Sequence, residues 1–135
     1  MHPLRNLGLL LGRLLIAAVF IFDAYLIVRA PDNSATLLTN LGIPERVGGV
    51  PLIMIVALCQ VVGGIMVVFG FWTRLASLAF AAFCVLTAVL VHHNFASVGE
   101  TIQAGKDLAI AGGFLFLAFT GPGAWSVDGR RRRDA

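Results

Sequence analysis

The chain has 135 residues, enough for one domain, with 59% hydrophobic and only 13% charged residues. A small soluble domain cannot hide so apolar a composition, because it has too much surface to cover, so a lipid bilayer is the expected solvent and membrane lipid the expected partner. The net charge of +3 is concentrated in the tail, Arg130, Arg131, Arg132 and Arg133, and no interleaved aromatic and basic pattern accompanies it, which argues against nucleic-acid binding.

The first apolar segment is predicted to be a membrane helix over residues 7–28. A basic start followed by an apolar run also resembles a signal peptide. The apolar run continues through Asp23, however, and no small-residue cleavage pattern closes a short core. We therefore expect this segment to be a retained span.

The connection after this helix begins with Pro31-Asp32-Asn33-Ser34, a turn and helix-start signal. The following residues, SATLLTNL, predict a short helix at the membrane interface that Pro44 ends.

Three further spans are predicted over residues 50–71, 75–91 and 98–119, since about 20 predominantly apolar residues cross a bilayer. The short GFWTR link makes the second and third an antiparallel hairpin. Ser97 and Glu100 fit a capping box at the start of the fourth, although both also fit an ordinary loop. The predicted fold is an all-α transmembrane four-helix bundle over residues 1–128, with a basic tail over 129–135.

The distribution of basic residues predicts the orientation. Four spans place both termini on one side, together with Arg5, Arg74 and the tail arginines. The positive-inside rule puts that side in the cytoplasm, and the predicted location is the bacterial cytoplasmic (inner) membrane.

Small residues recur on three of the predicted helices, as Gly8-x-x-x-Gly12, Gly63-Gly64 and Gly112-Gly113. In lipid, such residues let helix backbones approach closely. We expect these glycines to serve helix packing.

Arg13, Asp23 and Gln60 are polar residues inside predicted spans, where an ionisable group normally faces protein or water and has a partner. Arg13 can reach the nearby interface, and Asp128 could pair with Arg13 or Arg74 in a structural polar clamp. For Asp23, nearer the outer face, the candidate partners are His92, His93, Lys106 and Arg29. Gln60 is expected either to form an interhelical hydrogen bond or to orient a carbonyl-bearing ligand.

The stretch HHNFASVGETIQAGKD collects polar residues between the third and fourth spans. His92 and His93 are adjacent and point about 100° apart on a helix, so they should not share a ligand. Lys106 and Asp107 diverge in the same way. We expect one histidine, with Lys106 or Asp107, to turn toward Asp23 and Gln60 and close an outer polar pocket. No metal site is predicted, and haem is disfavoured because no second axial histidine faces these residues.

The two cysteines, Cys59 and Cys84, lie in apolar runs at similar predicted depths. A redox-active dithiol is one interpretation. Two small apolar core residues are the preferred one, because nothing nearby in the sequence would lower a thiol pKa.

Several of these patterns together resemble the DoxX family of small four-helix bacterial membrane proteins. The similarity rests on R-x-L-x(4)-F from Arg13, LGIP at residues 41–44, GG-x(5)-G-x-x-TR-x-A from Gly63, and KDLAIAGGFLFLAFTGPGAWSVD from Lys106. The sequence departs from the family pattern where Gln60 replaces a frequent glutamate and where the region around Asp23 lacks a frequent lysine. These departures argue against a proton-transfer role assigned through those positions.

The resemblance implies association with membrane redox systems, in which one branch of the family is linked to thiosulfate oxidation with electrons passing to quinone. The leading hypothesis is a quinone-facing or accessory subunit with quinone as the candidate cofactor and redox-complex proteins or a second copy of the chain as candidate partners. The chain lacks dinucleotide and cluster-binding motifs of its own. The alternatives are a non-catalytic scaffold and, last, a small transporter, for which four short helices leave little room.

Overall fold

A computed structural model describes residues 3–92 and 96–131, which form seven helices in this part of the chain. The long helices are α1 (Pro3–Arg29), α4 (Val50–Phe69), α5 (Thr73–Leu90) and α6 (Val98–Thr120). The short helices are α2 (Pro31–Asn40), α3 (Glu45–Gly48) and α7 (Val127–Arg131). The boundary expected between residues 128 and 129 falls inside α7.

Four helical segments of the described chain are long and apolar enough to cross a membrane: Pro3–Arg29, Glu45–Phe69, Thr73–Leu90 and Val98–Thr120. The predicted spans and the all-α bundle are therefore confirmed. Large apolar side chains remain exposed along these helices, as expected where lipid is the solvent, among them Leu15, Phe22, Leu58, Phe116 and Phe119.

The ends of the helices follow local chemistry. Gly70 adopts a left-handed conformation with φ of 68° and stops α4 at Phe69, two residues earlier than predicted. Pro31 occupies the first turn of α2, where its missing N–H is not needed. The predicted short helix after the first span is thus present and ends at Asn40, ahead of Pro44.

The bundle consists of two helix pairs, α1 with α4 and α5 with α6, and α2 packs against α4. Phe20, Phe80 and Phe114 join the pairs at the centre, with ring centroids 4.3 to 5.4 Å apart. Alanines surround these rings and let the helices approach closely. A second apolar cluster packs α2 against both α1 and α4, near the end of the bundle where α1 finishes and α4 begins.

The glycine prediction is confirmed at only some positions. A Cβ on Gly63 would lie 2.7 Å from Cζ of Phe80, and one on Gly64 would lie 2.9 Å from Cγ1 of Ile21. By contrast, Gly8, Gly12 and Gly112 face open space, with nothing within 4 Å of an added Cβ. These three glycines do not pack against another helix of the described chain, because their helix faces point away from the described bundle.

Both ends of the described chain meet at one end of the bundle, which we call the terminal end. The amide of Ala124 donates to Oδ1 of Asn6, and the C-terminal segment 121–131 folds across the start of α1 and the α4–α5 connection. The helices α2 and α3 and the α5–α6 connection follow spans that run away from the terminal end, so they lie at the opposite end.

Candidate functional site

A polar pair joins α1 to α4 inside the spanning region. Nε2 of Gln60 donates to Oδ2 of Asp23 over 2.8 Å. Asp23 is exposed on the side of the bundle, whereas Gln60 is only 3% exposed. The amide nitrogen of Gln60 faces Asp23, because only the nitrogen of that side chain can donate a hydrogen bond. The carbonyl Oε1 of Gln60 is then left buried without a hydrogen-bond partner.

This geometry changes two expectations. Asp23 pairs with Gln60 rather than with His92, Lys106 or Arg29, and the Arg29 guanidinium lies 5.8 Å from the ring of Tyr25 instead. The physical reason is packing, since α1 lies against α4 while His92 and Lys106 belong to the other helix pair. Gln60 forms the interhelical hydrogen bond, and the group it leaves free is an acceptor, which suits a ligand O–H or N–H rather than a ligand carbonyl.

A second polar set joins α5 to α6 at the opposite end. Nδ1 of His92 lies 2.9 Å from Oε2 of Glu100, and Nε2 lies 3.8 Å from Oδ2 of Asp107. The hydroxyl of Thr87 donates to the same Asp107 oxygen over 2.9 Å. The first contact is a hydrogen bond, while the second is too long for one and is an ion pair only when His92 is protonated. Thus His92 does turn inward with Asp107, but toward Glu100 and not toward Asp23.

The remaining residues of the expected outer pocket are less engaged. Lys106 is exposed, and His93 lies outside the described residues. Ser97 is the N-cap of α6 but makes no side-chain cap hydrogen bond. The capping-box interpretation is therefore wrong, and Glu100 bonds to His92 instead. We call His92, Glu100, Asp107 and Thr87 the His92 set. Among the described residues, no recorded contact joins the Asp23–Gln60 pair to the His92 set, so the two are separate clusters.

Sequence reasoning missed the participation of Thr87 and Glu100 in the His92 set. Glu100 is predicted either to cap the fourth span or to lie in the loop before it, and Thr87 lies within the apolar third span. The Thr87 hydroxyl, which has one hydrogen to donate, also lies within hydrogen-bond distance of the backbone oxygens of Phe83 and Cys84 in its own helix, so its sequence context suggests only local bonding. Only the register of α5 against α6 places its hydroxyl beside Asp107.

The polar residues of the terminal end organise the C-terminal segment. Nη2 of Arg13 donates to the carbonyl of Trp125 over 2.7 Å. Asp128 accepts hydrogen bonds from the Trp72 amide, the Thr73 amide and the Thr73 hydroxyl at 2.9 to 3.1 Å. Asp128 thereby satisfies the free amides that begin α5.

The expected pairing of Asp128 with Arg13 or Arg74 is replaced by this cap. No Arg13–Asp128 or Arg74–Asp128 ion pair within 4.0 Å is recorded in the described chain, because the α5 amides and Thr73 occupy the carboxylate. Arg74 is exposed and shares a groove of about 380 Å³ with Asp128 and Arg131. Of the basic tail, Arg130 and Arg131 lie on α7, whereas Arg132 and Arg133 fall outside the described residues.

The pKa of the Asp128 carboxyl reflects this environment. Burial raises the pKa, but the hydrogen bonds from Thr73 and Trp72 and the charge of Arg131 outweigh burial and hold it below the ordinary value of 3.8. The carboxylate is therefore ionised at neutral pH and stabilises the start of α5.

The two cysteines lie in different environments. Cys59 is exposed and Cys84 is buried, and both are free thiols. They are therefore not a matched pair of core residues. Within residues 3–92 and 96–131, no three His, Cys, Asp or Glu side chains gather where they could hold a metal ion.

Comparison with known proteins assigns the family. The family model described as DoxX matches residues 8–93. The chain belongs to the DoxX family. The match includes Arg13, Asp23, Gln60 and His92, the residues that anchor the three clusters described above.

Two curated relatives extend the DoxX similarity over almost the whole chain. Inner membrane protein YqjF of Escherichia coli (strain K12) is 36% identical over 128 residues, covering 95% of both chains. Inner membrane protein YphA of the same organism is 32% identical over 133 residues, covering 93% of this chain and 91% of the relative. No solved structure matches the chain. With its four spanning helices, this DoxX protein is an integral protein of the bacterial inner membrane.

Proposed function

We propose that this DoxX protein is a quinone-facing accessory subunit of a membrane redox system and that the Asp23–Gln60 pair holds the ligand headgroup. The observation that carries the proposal is the buried, unpartnered Oε1 of Gln60 beside the exposed carboxylate of Asp23. A buried acceptor without a donor is costly, so such a group favours a ligand that supplies one.

The chemistry of the pair favours the reduced ligand, a quinol. A quinol hydroxyl donates a hydrogen bond, whereas a quinone carbonyl only accepts. Asp23 offers an acceptor on the lipid-facing surface, and Gln60 holds that carboxylate in place while offering a second acceptor. Exposed apolar side chains flank Asp23 on α1, including Phe22 and Leu26, and suit the ligand's hydrocarbon tail.

The His92 set is not expected to contact the ligand headgroup. His92, Asp107 and Lys106 belong to the half of the bundle away from the terminal end, but no recorded contact among the described residues links them to Asp23. We therefore expect Lys106→Ala and His92→Ala to change ligand affinity by less than roughly threefold, well under the tenfold that 1.4 kcal/mol represents.

The test is calorimetric titration of the detergent-solubilised full chain with a short-chain quinol and, separately, its oxidised form, under anaerobic conditions. We expect tighter binding of the quinol and at least a tenfold loss in Gln60→Leu and in Asp23→Asn, about 1.4 kcal/mol. Gln103→Leu, the same change at an exposed glutamine of α6, is the matched control and should bind normally.

Equal binding of both redox forms, unaffected by either substitution, would exclude the proposed headgroup site. Absence of quinol binding together with a stable protein complex recovered from gently solubilised membranes would instead support the scaffold alternative.

A further inference from the structure

The guanidinium of Arg13 is buried at the terminal end, beside a groove that Arg130 also lines. We propose that the groove beside Arg13 binds the phosphate group of an anionic phospholipid, with Arg13 as the buried anchor and Arg130 at the rim. This site is distinct from the Asp23–Gln60 pair and does not depend on the quinol proposal.

The Arg13 side chain has fewer hydrogen-bond acceptors around it than it has N–H donors. Its side chain is only 1% exposed, yet of its five N–H donors only those on Nη2 have a recorded partner, the Trp125 carbonyl. Both Nε and Nη1 are buried without a hydrogen-bond partner. A buried charge needs a counter-charge and filled hydrogen bonds, and a phosphate offers several oxygens to a planar guanidinium.

Asp128 does not accept hydrogen bonds from the unpaired N–H groups of Arg13. Its negative charge lies near enough to interact favourably with Arg13, but its oxygens accept from Trp72 and Thr73. In the described chain, that end carries one carboxylate, Asp128, against Arg5, Arg13, Arg74, Arg130 and Arg131. The surplus of positive charge favours an anion.

The groove also explains why the anion should be a lipid and not free phosphate. It has a volume of about 370 Å³ and combines Arg13 and Arg130 with apolar walls from α1 and α4. Those walls are formed by Leu10, Leu14, Val68 and Phe69. Leu14 and Phe69 are exposed on the side of the bundle that faces acyl chains, so a headgroup bound at Arg13 can leave its tails against them.

Glycine at position 70 makes room for the buried guanidinium. A Cβ at Gly70 would collide with Nη1 of Arg13 and with Cβ of Ser126. The left-handed turn that ends α4 therefore also admits the arginine that we assign to the headgroup.

The site can be tested by native mass spectrometry of the full chain in detergent, titrated with phosphatidylglycerol or phosphatidylcholine. We expect wild-type protein to retain phosphatidylglycerol preferentially. Arg130→Gln should lower that retention roughly fivefold, because Arg130 lines the groove beside the bound headgroup, where a basic residue contributes about that factor. Arg5→Gln removes the same charge from an exposed position at the same end, outside this groove, and should retain lipid like the wild type.

Arg13→Gln should abolish the preference for phosphatidylglycerol, and its thermal melting curve reports whether it is folded. Since Arg13 also supports Trp125, the Arg130→Gln and Arg5→Gln pair decides the matter if that variant unfolds. Equal losses in Arg130→Gln and Arg5→Gln, or equal retention of the two lipids, would overturn the proposal. Protection against melting by inorganic phosphate alone, as strong as that by phosphatidylglycerol, would overturn the lipid assignment.

Discussion

Asp128 shows how one carboxylate can serve two distant parts of the chain. It caps α5, whose own N-cap residue Trp72 supplies no side-chain acceptor, and it anchors the C-terminal segment. Capping residues contribute about 1 kcal/mol, and a carboxylate at a helix N-terminus also interacts favourably with the helix dipole.

The lowered pKa of Asp128 predicts an acid-dependent stability. Because the folded-state pKa lies below the unfolded value, the contribution is fully present above the unfolded pKa and is lost as pH falls through the folded pKa. Asp128→Asn removes the charge but keeps a hydrogen-bond acceptor, so we expect it to lower stability by about 0.3–1 kcal/mol at pH 7. The difference from wild type should shrink as pH drops below the ordinary carboxyl value and vanish as pH falls through the lower folded-state pKa. Thermal melting in detergent across pH measures this difference, and Asp32→Asn, at an exposed carboxylate, is the control.

A constant difference between wild type and Asp128→Asn down to the lowest pH would contradict the assigned ionisation. A pH-dependent difference of equal size in Asp32→Asn would show that the effect is not specific to the cap.

Gly63 offers a second prediction at the residue scale. Its missing side chain leaves space for Phe80, which is itself confined by Phe20 and Phe114. Gly63→Ala should destabilise the bundle by about 1–3 kcal/mol, the usual effect of overpacking. Gly112→Ala, on an open face of α6, should be neutral or stabilising because alanine favours a helix. Melting temperatures of the two variants in the same detergent compare them directly, and equal destabilisation would refute the packing argument.

At the scale of elements, the two helix pairs depend on a small aromatic centre. Phe114 of α6 is fully buried between Phe20 of α1 and Phe80 of α5. In lipid, helices gain little from hydrophobic association, so packing at such contacts holds the pairs together. The pairs should therefore separate most readily when this centre is emptied.

Phe114→Ala should lower the unfolding free energy by about 3 kcal/mol, since truncation of a buried aromatic leaves a cavity. Phe116→Ala, two residues away and 66% exposed, should change it little. Denaturation in mixed micelles, followed by circular dichroism, measures both variants. Similar losses in the two variants would mean that Phe114 does not join the helix pairs as described.

For the whole molecule, the terminal end brings both ends of the described chain together. The surplus of arginines there predicts that this end faces the cytoplasm. We expect a cysteine introduced as Asn33→Cys, on α2, to react with a membrane-impermeant maleimide in intact cells. One introduced as Arg131→Cys should react only after lysis, and the native chain, with Cys59 and Cys84, sets the background. Labelling of Arg131→Cys in intact cells would show that the terminal end faces the outside, opposite to the predicted orientation.

The sequence by itself determined the membrane class, the spans and the short helix after Pro31. Runs of about 20 apolar residues and turn-forming residues depend only on local chemistry. The motifs around Arg13, Gly63 and Lys106 also led to the correct family. These features require no knowledge of which helices touch.

Only the tertiary structure decided which polar residues are partners. Asp23 was expected to meet His92 or Lys106 because their predicted depths match, yet depth does not specify which helices pack together. Because α1 packs on α4, Asp23 contacts Gln60. Because α5 packs on α6, His92 contacts Glu100 and Asp107. The C-terminal segment likewise folds back so that Asp128 accepts hydrogen bonds at the start of α5 instead of pairing with an arginine. Partner choice depends on how the helices are rotated and which of their faces meet, which no local pattern encodes.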